Sequence, residues 1–295
     1  MVETKVKNQY IWYLAWALII AGALWAGLRA SKPQEPSITW RRVVMDGHRA
    51  GAQSLTLENM STALGSFDSL GYVTPSGVRY PEDSRVAAVA AALMEVQPRL
   101  AELKTVVAHS DGMYMNLRDQ ADLPLGNFFA DVMRAAGTEY FKVPMDFAIT
   151  NYGGIRCPLP EGAVTLEDVS SMFPFKNYLC YAQMKGSSLM KLLEQLAGTP
   201  AFQAVSGCKV EVRDGKIASA LVGDKPIVPG KLYNVATVDF LLDGGDKIAI
   251  GALSQKVKLS HILLKDVMLN YVRKEEAAGR VLHCASDGRV VYLKD

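Results

Sequence analysis

Three short segments concentrate the side chains that could do chemistry. The first is NYGGIR, residues Asn151 to Arg156, where an apolar run stops, two glycines follow and an arginine stands directly after them. Glycines admit positive φ and let a ligand come close to the backbone. Asn151 offers an amide with both donor and acceptor, and Arg156 a planar fork for oxygen-rich groups. The second is FPFKN, Phe173 to Asn177. Phe173 reads as core, whereas Phe175, set between a proline and a lysine, suits stacking on a planar ligand. The third is VDFLLDGGDK, Val238 to Lys247, read as a strand ending at Phe240 and then a tight acidic turn from Asp243 to Asp246. Asp246 is an acceptor suited to sugar hydroxyls. Each segment alone has a plainer reading: a glycine turn with a surface arginine, a core phenylalanine, an acidic hairpin or calcium-like turn. Together they fit one ligand, with two phenylalanines for the faces of a base, an amide for its edge, and an arginine and an aspartate for a ribose.

The elements around these loops must hold them at strand ends. PEDSRVAAVAAALMEVQPRLAELK reads as a helix starting near Pro81, with a kink at Pro98. TVVAHS reads as a strand. In residues 123–136, Leu125, Phe128, Phe129, Val132 and Met133 recur at helical spacing and form one buried face, with Gly137 as the stop. MDFAIT is a short buried strand running into NYGGIR. Thr165 with Asp168 resembles a capping box. YLCYAQM is a strand, and Leu189, Leu192, Leu193 and Leu196 mark a helix ended by Gly198. CKVEVRDGKIASALV is a hairpin turning at Asp214-Gly215. LYNVATVDFLL is a strand, 260–275 a last amphipathic helix, and GRVVYL a closing strand. Helices and hairpins together predict an α+β domain over 82–295, a mixed β-sheet flanked by helices. Residues 38–80 read as short strands and loops.

Of 295 residues, 49% are hydrophobic and 21% charged, as expected of a globular chain. The net charge of +2, with no basic cluster beyond Arg41-Arg42, excludes a nucleic-acid footprint. Four cysteines, Cys157, Cys180, Cys208 and Cys284, lack CxxC spacing, so a zinc site is not expected. They read as buried thiols, though three disulfide pairings are open to them. Residues 11–28 carry no charge and as a helix would reach roughly 27 Å, close to a bilayer's hydrocarbon core. With flanking Tyr and Trp, residues 10–28 read as an uncleaved transmembrane anchor after a short tail, and 29–81 as linker and an ill-defined segment. A cleaved signal peptide is the competing reading.

Five blocks in order, LGNFFADVMR, DFAITNYGGIR, VTLEDVSSMFPFKN, FQAVSG and YNVATVDFLLDGGD, resemble the C-terminal domain of the 5'-nucleotidase / UDP-sugar hydrolase / 2',3'-cyclic phosphodiesterase family. The resemblance covers about residues 82–295. It implies the 5'-nucleotidase C-terminal fold and binding of the nucleoside part of a substrate. It assigns that role to Asn151, Arg156, Phe175, Phe240 and Asp246, with Asn177 and Gly207 at lesser positions of the pocket. Arg118 lies near a further family arginine but out of register. Two departures stand out: Tyr152 and Lys247 each replace a family glycine and could narrow or recharge the pocket.

The family's metallophosphoesterase domain, with its His-rich two-metal motifs, has no counterpart here. The four histidines, His48, His109, His261 and His283, form none of those motifs. The resemblance therefore implies no catalytic residue, metal or cofactor in this chain, with divalent metals expected only in a partner. The expected activity is nucleotide recognition within a split 5'-nucleotidase-type hydrolase for nucleotide catabolism, completed by a separate metallophosphoesterase chain. The alternative is a membrane-tethered nucleoside or nucleotide-binding module without catalysis. Exported relatives imply an extracytoplasmic domain on the N-terminal anchor.

Overall fold

The structure is a computed structural model and describes residues 59, 62–117, 121–199 and 201–293. The expected anchor at 10–28 and Arg118 lie outside the described residues. Among the described residues, no helix is long and apolar enough to cross a membrane.

Three short antiparallel strands come first: β1 (Ser66–Asp68), β2 (Gly71–Val73) and β3 (Arg79–Tyr80). Helix α1 (Arg85–Leu100) packs on them through a small cluster of Tyr72, Ala87 and Ala90. It starts later than Pro81, because the Ser84 side chain accepts from the Ala87 N–H and caps it. Pro98 falls in its last turn. Strand β4 (Val106–Ser110) leads to α2 (Pro124–Phe141), which opens with proline at its first position.

The expected stop at Gly137 does not occur: α2 runs on to Phe141 and closes at Lys142 in the left-handed conformation, φ 56°. Gly137 serves packing instead. A Cβ there would come 3.0 Å from Ala236 Cβ and 3.2 Å from Met145 Cγ, so the missing side chain lets the helix lie close on the sheet.

After β5 (Phe147–Thr150) come β6 (Gly162–Thr165) and α3 (Leu166–Met172). Helix α3 is entered through the expected capping box: Thr165 Oγ1 accepts from the Asp168 N–H, and the Asp168 carboxylate accepts from the Thr165 N–H. Then follow β7 (Tyr178–Lys185), α4 (Gly186–Ala197), β8 (Ala204–Ser206), and the hairpin of β9 (Cys208–Arg213) and β10 (Lys216–Val222). Asp214 and Gly215 both have positive φ at its turn, as a two-residue hairpin requires.

The remaining elements are β11 (Lys225–Pro226), β12 (Leu232–Val238), α5 (Asp239–Leu242), α6 (Ile250–Leu253), β13 (Lys256–Leu263), α7 (Leu264–Ala277) and β14 (Val290–Tyr292). Two expectations shift. Phe240 lies in the short helix α5, and the stretch 256–263 is strand, so the last helix begins at Leu264.

The central sheet has the order β13-β7-β12-β5-β8 and is mixed, with β12 parallel to β5 and the other pairs antiparallel. Successive side chains in a strand point to opposite faces, and all four residues of β5 are buried, so both faces are covered. Helix α2 packs on β5, β8 and β12, while α4 packs on β7 and β10 of the second sheet, ordered β11-β10-β9-β14. The core between them includes Phe129, Phe147, Ile149, Leu189, Leu193 and Tyr233. Of the expected α2 face, Leu125, Phe129, Val132 and Met133 are buried, and Phe128 is half-buried against Tyr271. The four cysteines are free thiols, three of them buried.

Candidate functional site

The sheet register brings the three candidate loops to one edge. Ala236 of β12 stands opposite Ala148 of β5, so two residues on, Val238 is level with Thr150. Val238 also pairs with Leu179, at the start of β7. The next residues out of the sheet are therefore Asn151, Asp239 and Tyr178, which open or close the three loops. Asp239 ties two of them, since its Oδ1 accepts from the N–H of Tyr178 at 3.1 Å and of Phe240 at 2.9 Å.

Asn151 is buried, 4% exposed, and its Nδ2 donates to Asp246 Oδ2 at 2.7 Å. That bond joins residues 95 apart in sequence. The glycines after Asn151 serve a purpose different from positive φ, which neither adopts. A Cβ on Gly153 would sit 3.1 Å from Asn151 Nδ2, and one on Gly154 3.1 Å from Asn151 Oδ1. The loop folds over the Asn151 amide, and only glycine leaves it that room.

Arg156 is exposed, its backbone N–H is fixed to the Met172 carbonyl at 2.9 Å, and its guanidinium lies 5.6 Å from the Phe175 ring centre. Such a contact places the arginine and the aromatic on one surface. Phe173 is buried against Phe129, whereas Phe175 and Phe240 are 47% and 41% exposed. The Phe240 ring lies across Gly245, where a Cβ would meet three ring carbons at 2.4 to 2.5 Å. Asn177 is half-buried, and its carbonyl accepts from the Leu264 N–H.

Gly207 does not join this group. Strand β8 runs antiparallel to β5 with Ser206 opposite Ala148, so Gly207 falls level with Phe147 and next to the Asp146 carbonyl, at the other end of β5. Four residues of strand put it about 13 Å from Asn151 along the sheet. It lines a separate polar cavity of about 610 Å³ with Arg134, Asp146 and Lys231.

The two departures from glycine take different places. Tyr152 turns inward: it is buried with Leu123, Ala130 and Ala204, and its ring fills the space over Gly126, where a Cβ would be 2.3 Å from Cε1. Burial pushes its phenol up to about 12, so it stays neutral. It therefore does not narrow the site. Lys247 is exposed and holds φ 63° directly after Asp246 at φ 52°, two consecutive left-handed residues without glycine. Its carbonyl accepts from Gln195 Nε2.

Two further side chains, Asn116 and Gln203, neither of which was named as a site residue although Gln203 lies in the FQAVSG block, hold the first loop. Asn116 Nδ2 donates to the Tyr152 and Ile155 carbonyls at 2.8 and 2.6 Å, and Gln203 Oε1 accepts from the Tyr152 N–H at 2.9 Å. Both lie far from the loop in sequence; Asn116 carries no local signal, whereas the FQAVSG block could have pointed to Gln203. Among the described residues, no three His, Cys, Asp or Glu side chains converge to hold a metal ion.

Comparison with known proteins agrees with this fold. The family described as 5'-nucleotidase, C-terminal domain, matches residues 106–253. The chain is 30% identical over 192 residues to the cell wall protein Lmo0130 of Listeria monocytogenes, covering 59% of this chain and 24% of that protein. It is 28% identical over 149 residues to a 5'-nucleotidase of Vibrio cholerae, covering 49% and 26% respectively. The chain thus spans about a quarter of the length of these relatives. The fold is similar to that of a 5'-nucleotidase precursor from Thermus thermophilus, with TM-score 0.62 and 23% identity over 76% of this chain and 46% of that one.

Proposed function

Since the chain belongs to the 5'-nucleotidase C-terminal domain family, we propose that it is the nucleotide-recognition half of a nucleotide hydrolase and works with a separate metallophosphoesterase chain. The observation that carries this reading is the Asn151–Asp246 bond at the sheet edge where Phe175 and Phe240 stand exposed. In this reading the base stacks on the two phenylalanines, an interaction worth about 1 to 3 kcal/mol per base. Asp246, oriented by Asn151, accepts from ribose hydroxyls. Arg156 donates to the ligand's oxygens from a backbone already fixed by Met172, so only its side chain has to be ordered on binding.

Recognition of the base and ribose fixes where the phosphate ester stands, and positioning of that kind lowers a reaction barrier by supplying orientation in advance. Divalent metals in the partner would supply the activated water. The residues of this chain bind and orient. The Listeria relative, named a cell wall protein, supports an extracytoplasmic site of action. An anchor at residues 10–28 would raise the local concentration of two chains sharing one membrane surface.

The test is co-expression with the metallophosphoesterase encoded nearest to this chain, assayed on a panel of nucleotides. Hydrolysis is expected in the mixture and not with this chain alone. Arg156→Ala should lower kcat/KM of the mixture without changing the partner's metal content. Equal activity of the partner with and without this chain would refute the split-enzyme reading. Nucleoside binding retained in that case would leave a binding module.

A further inference from the structure

Helix α1 carries an apolar seam that the described residues leave partly exposed. Val86, Val89, Leu93, Val96 and Leu100 are between 38% and 60% exposed. Their spacing is three, four, three, four, the a and d positions of two heptads. At about 100° per residue they fall within an arc of roughly 80°. This seam is distinct from the side of α1 that faces its own body, where Ala87, Ala90 and Gln97 are buried. Single exposed apolar side chains are ordinary on a soluble protein, but five in register along one helix mark a contact surface.

We propose that α1 is a self-association surface, on which the seam of one copy packs against the seam of a second copy of this chain. Three features favour that occupant. The seam has the period that knobs-into-holes packing needs, so it complements another helix carrying the same pattern. From Val86 to Pro98 the helix bears a single charged residue, Glu95, so two copies meet without a row of facing like charges. Leu93 stands at the middle of the seam, and a two-fold axis through it sets Leu93 beside its own copy whichever way the helices run.

The number of copies follows from the flanks. One flank of the seam, Ala90 and Gln97, is buried on the chain's own body. One flank remains open, which admits a single partner helix and excludes a ring of three or four. A helix of 16 residues is about 24 Å long. The contact is correspondingly small and the dimer weak and concentration-dependent.

The experiment is cysteine cross-linking and sedimentation of the full-length chain. Leu93→Cys, oxidised with copper phenanthroline, should give a reductant-sensitive dimer band. The wild-type chain and Ala91→Cys, on the opposite side of α1, should not. Leu93→Glu should weaken association about tenfold or more, because it sets two carboxylates together in an apolar seam. Its circular dichroism and nucleoside binding should stay as in the wild type, since the position is exposed. Cross-linking of Leu93→Cys no stronger than that of Ala91→Cys would overturn the proposal. So would wild-type and Leu93→Glu chains that sediment alike at every concentration.

Discussion

Replacing Asn151 by alanine tests whether the first and third loops act as one site. The amide donates to a carboxylate at 2.7 Å, and a hydrogen bond to a charged group contributes about 1.5 to 3 kcal/mol. Asp246 is exposed, so water takes up part of the loss, and the cost should lie near the lower end. The consequence for binding is larger than the lost bond suggests. Asp246 and Lys247 both sit in the left-handed region, which costs about 1 to 2 kcal/mol for a residue such as lysine and less for an aspartate. The Asn151 bond is one of the contacts that offset this. Without it the turn relaxes and Asp246 leaves its place, and a loss of roughly 1.4 to 2.8 kcal/mol corresponds to ten- to hundredfold weaker nucleoside binding. Calorimetric titration of the wild type, Asn151→Ala, Asp246→Ala and the double variant closes a thermodynamic cycle. If Asn151 acts by holding Asp246, the double variant should bind about as weakly as Asp246→Ala alone. Losses that add to within about 0.5 kcal/mol would refute the reasoning, because independent sites behave that way.

Phe240→Ala should weaken nucleoside binding by about 1 to 3 kcal/mol, measured by the same calorimetry. Gly245→Ala should impair binding by a different route, since the new methyl group must displace the Phe240 ring that now lies over Gly245. Gly137→Ala should lower stability by about 1 kcal/mol or less in urea denaturation, because the methyl group crowds Ala236 and Met145 while better helix propensity returns part of that cost. The Asp287 carboxyl is held below the usual carboxylate range by its hydrogen bond from Arg289. Its contribution to stability is therefore present above the ordinary carboxylate value and lost as pH falls through the lowered one. Asp287→Asn should then be less stable than the wild type at pH 7, and the gap between their denaturation midpoints should narrow at pH 3.

The local chemistry of the elements was legible in the amino-acid order. The capping box at Thr165 and Asp168, the Asp214-Gly215 turn, the helical face around Phe129 and the buried strand before Asn151 each depend on neighbours within a few residues. Side-chain type at close spacing is enough to specify such features. Phe173 as core was legible for the same reason, and the proline and lysine around Phe175 marked it as the less easily buried of the two, although a core reading stayed open for it until the fold left it exposed.

What tertiary structure decided depends on residues remote in sequence. Glycine alone does not say whether it ends a helix, frees a dihedral or makes room. Gly137 was read as a stop, yet Met145 and Ala236 pack where its side chain would be. Gly153 and Gly154 were read as conformationally free, yet their role is space for the Asn151 amide. Tyr152 stands next to the site in sequence but turns into the core, because Gly126 leaves a gap that its ring fills. Gly207 directly follows β8, the strand beside β5, yet antiparallel pairing carries it to the far end. The five ligand candidates could be named from their types, but their convergence required the β5-β12-β7 register. Strand pairing is set by burial of whole faces, a property of the assembled sheet that no single segment contains.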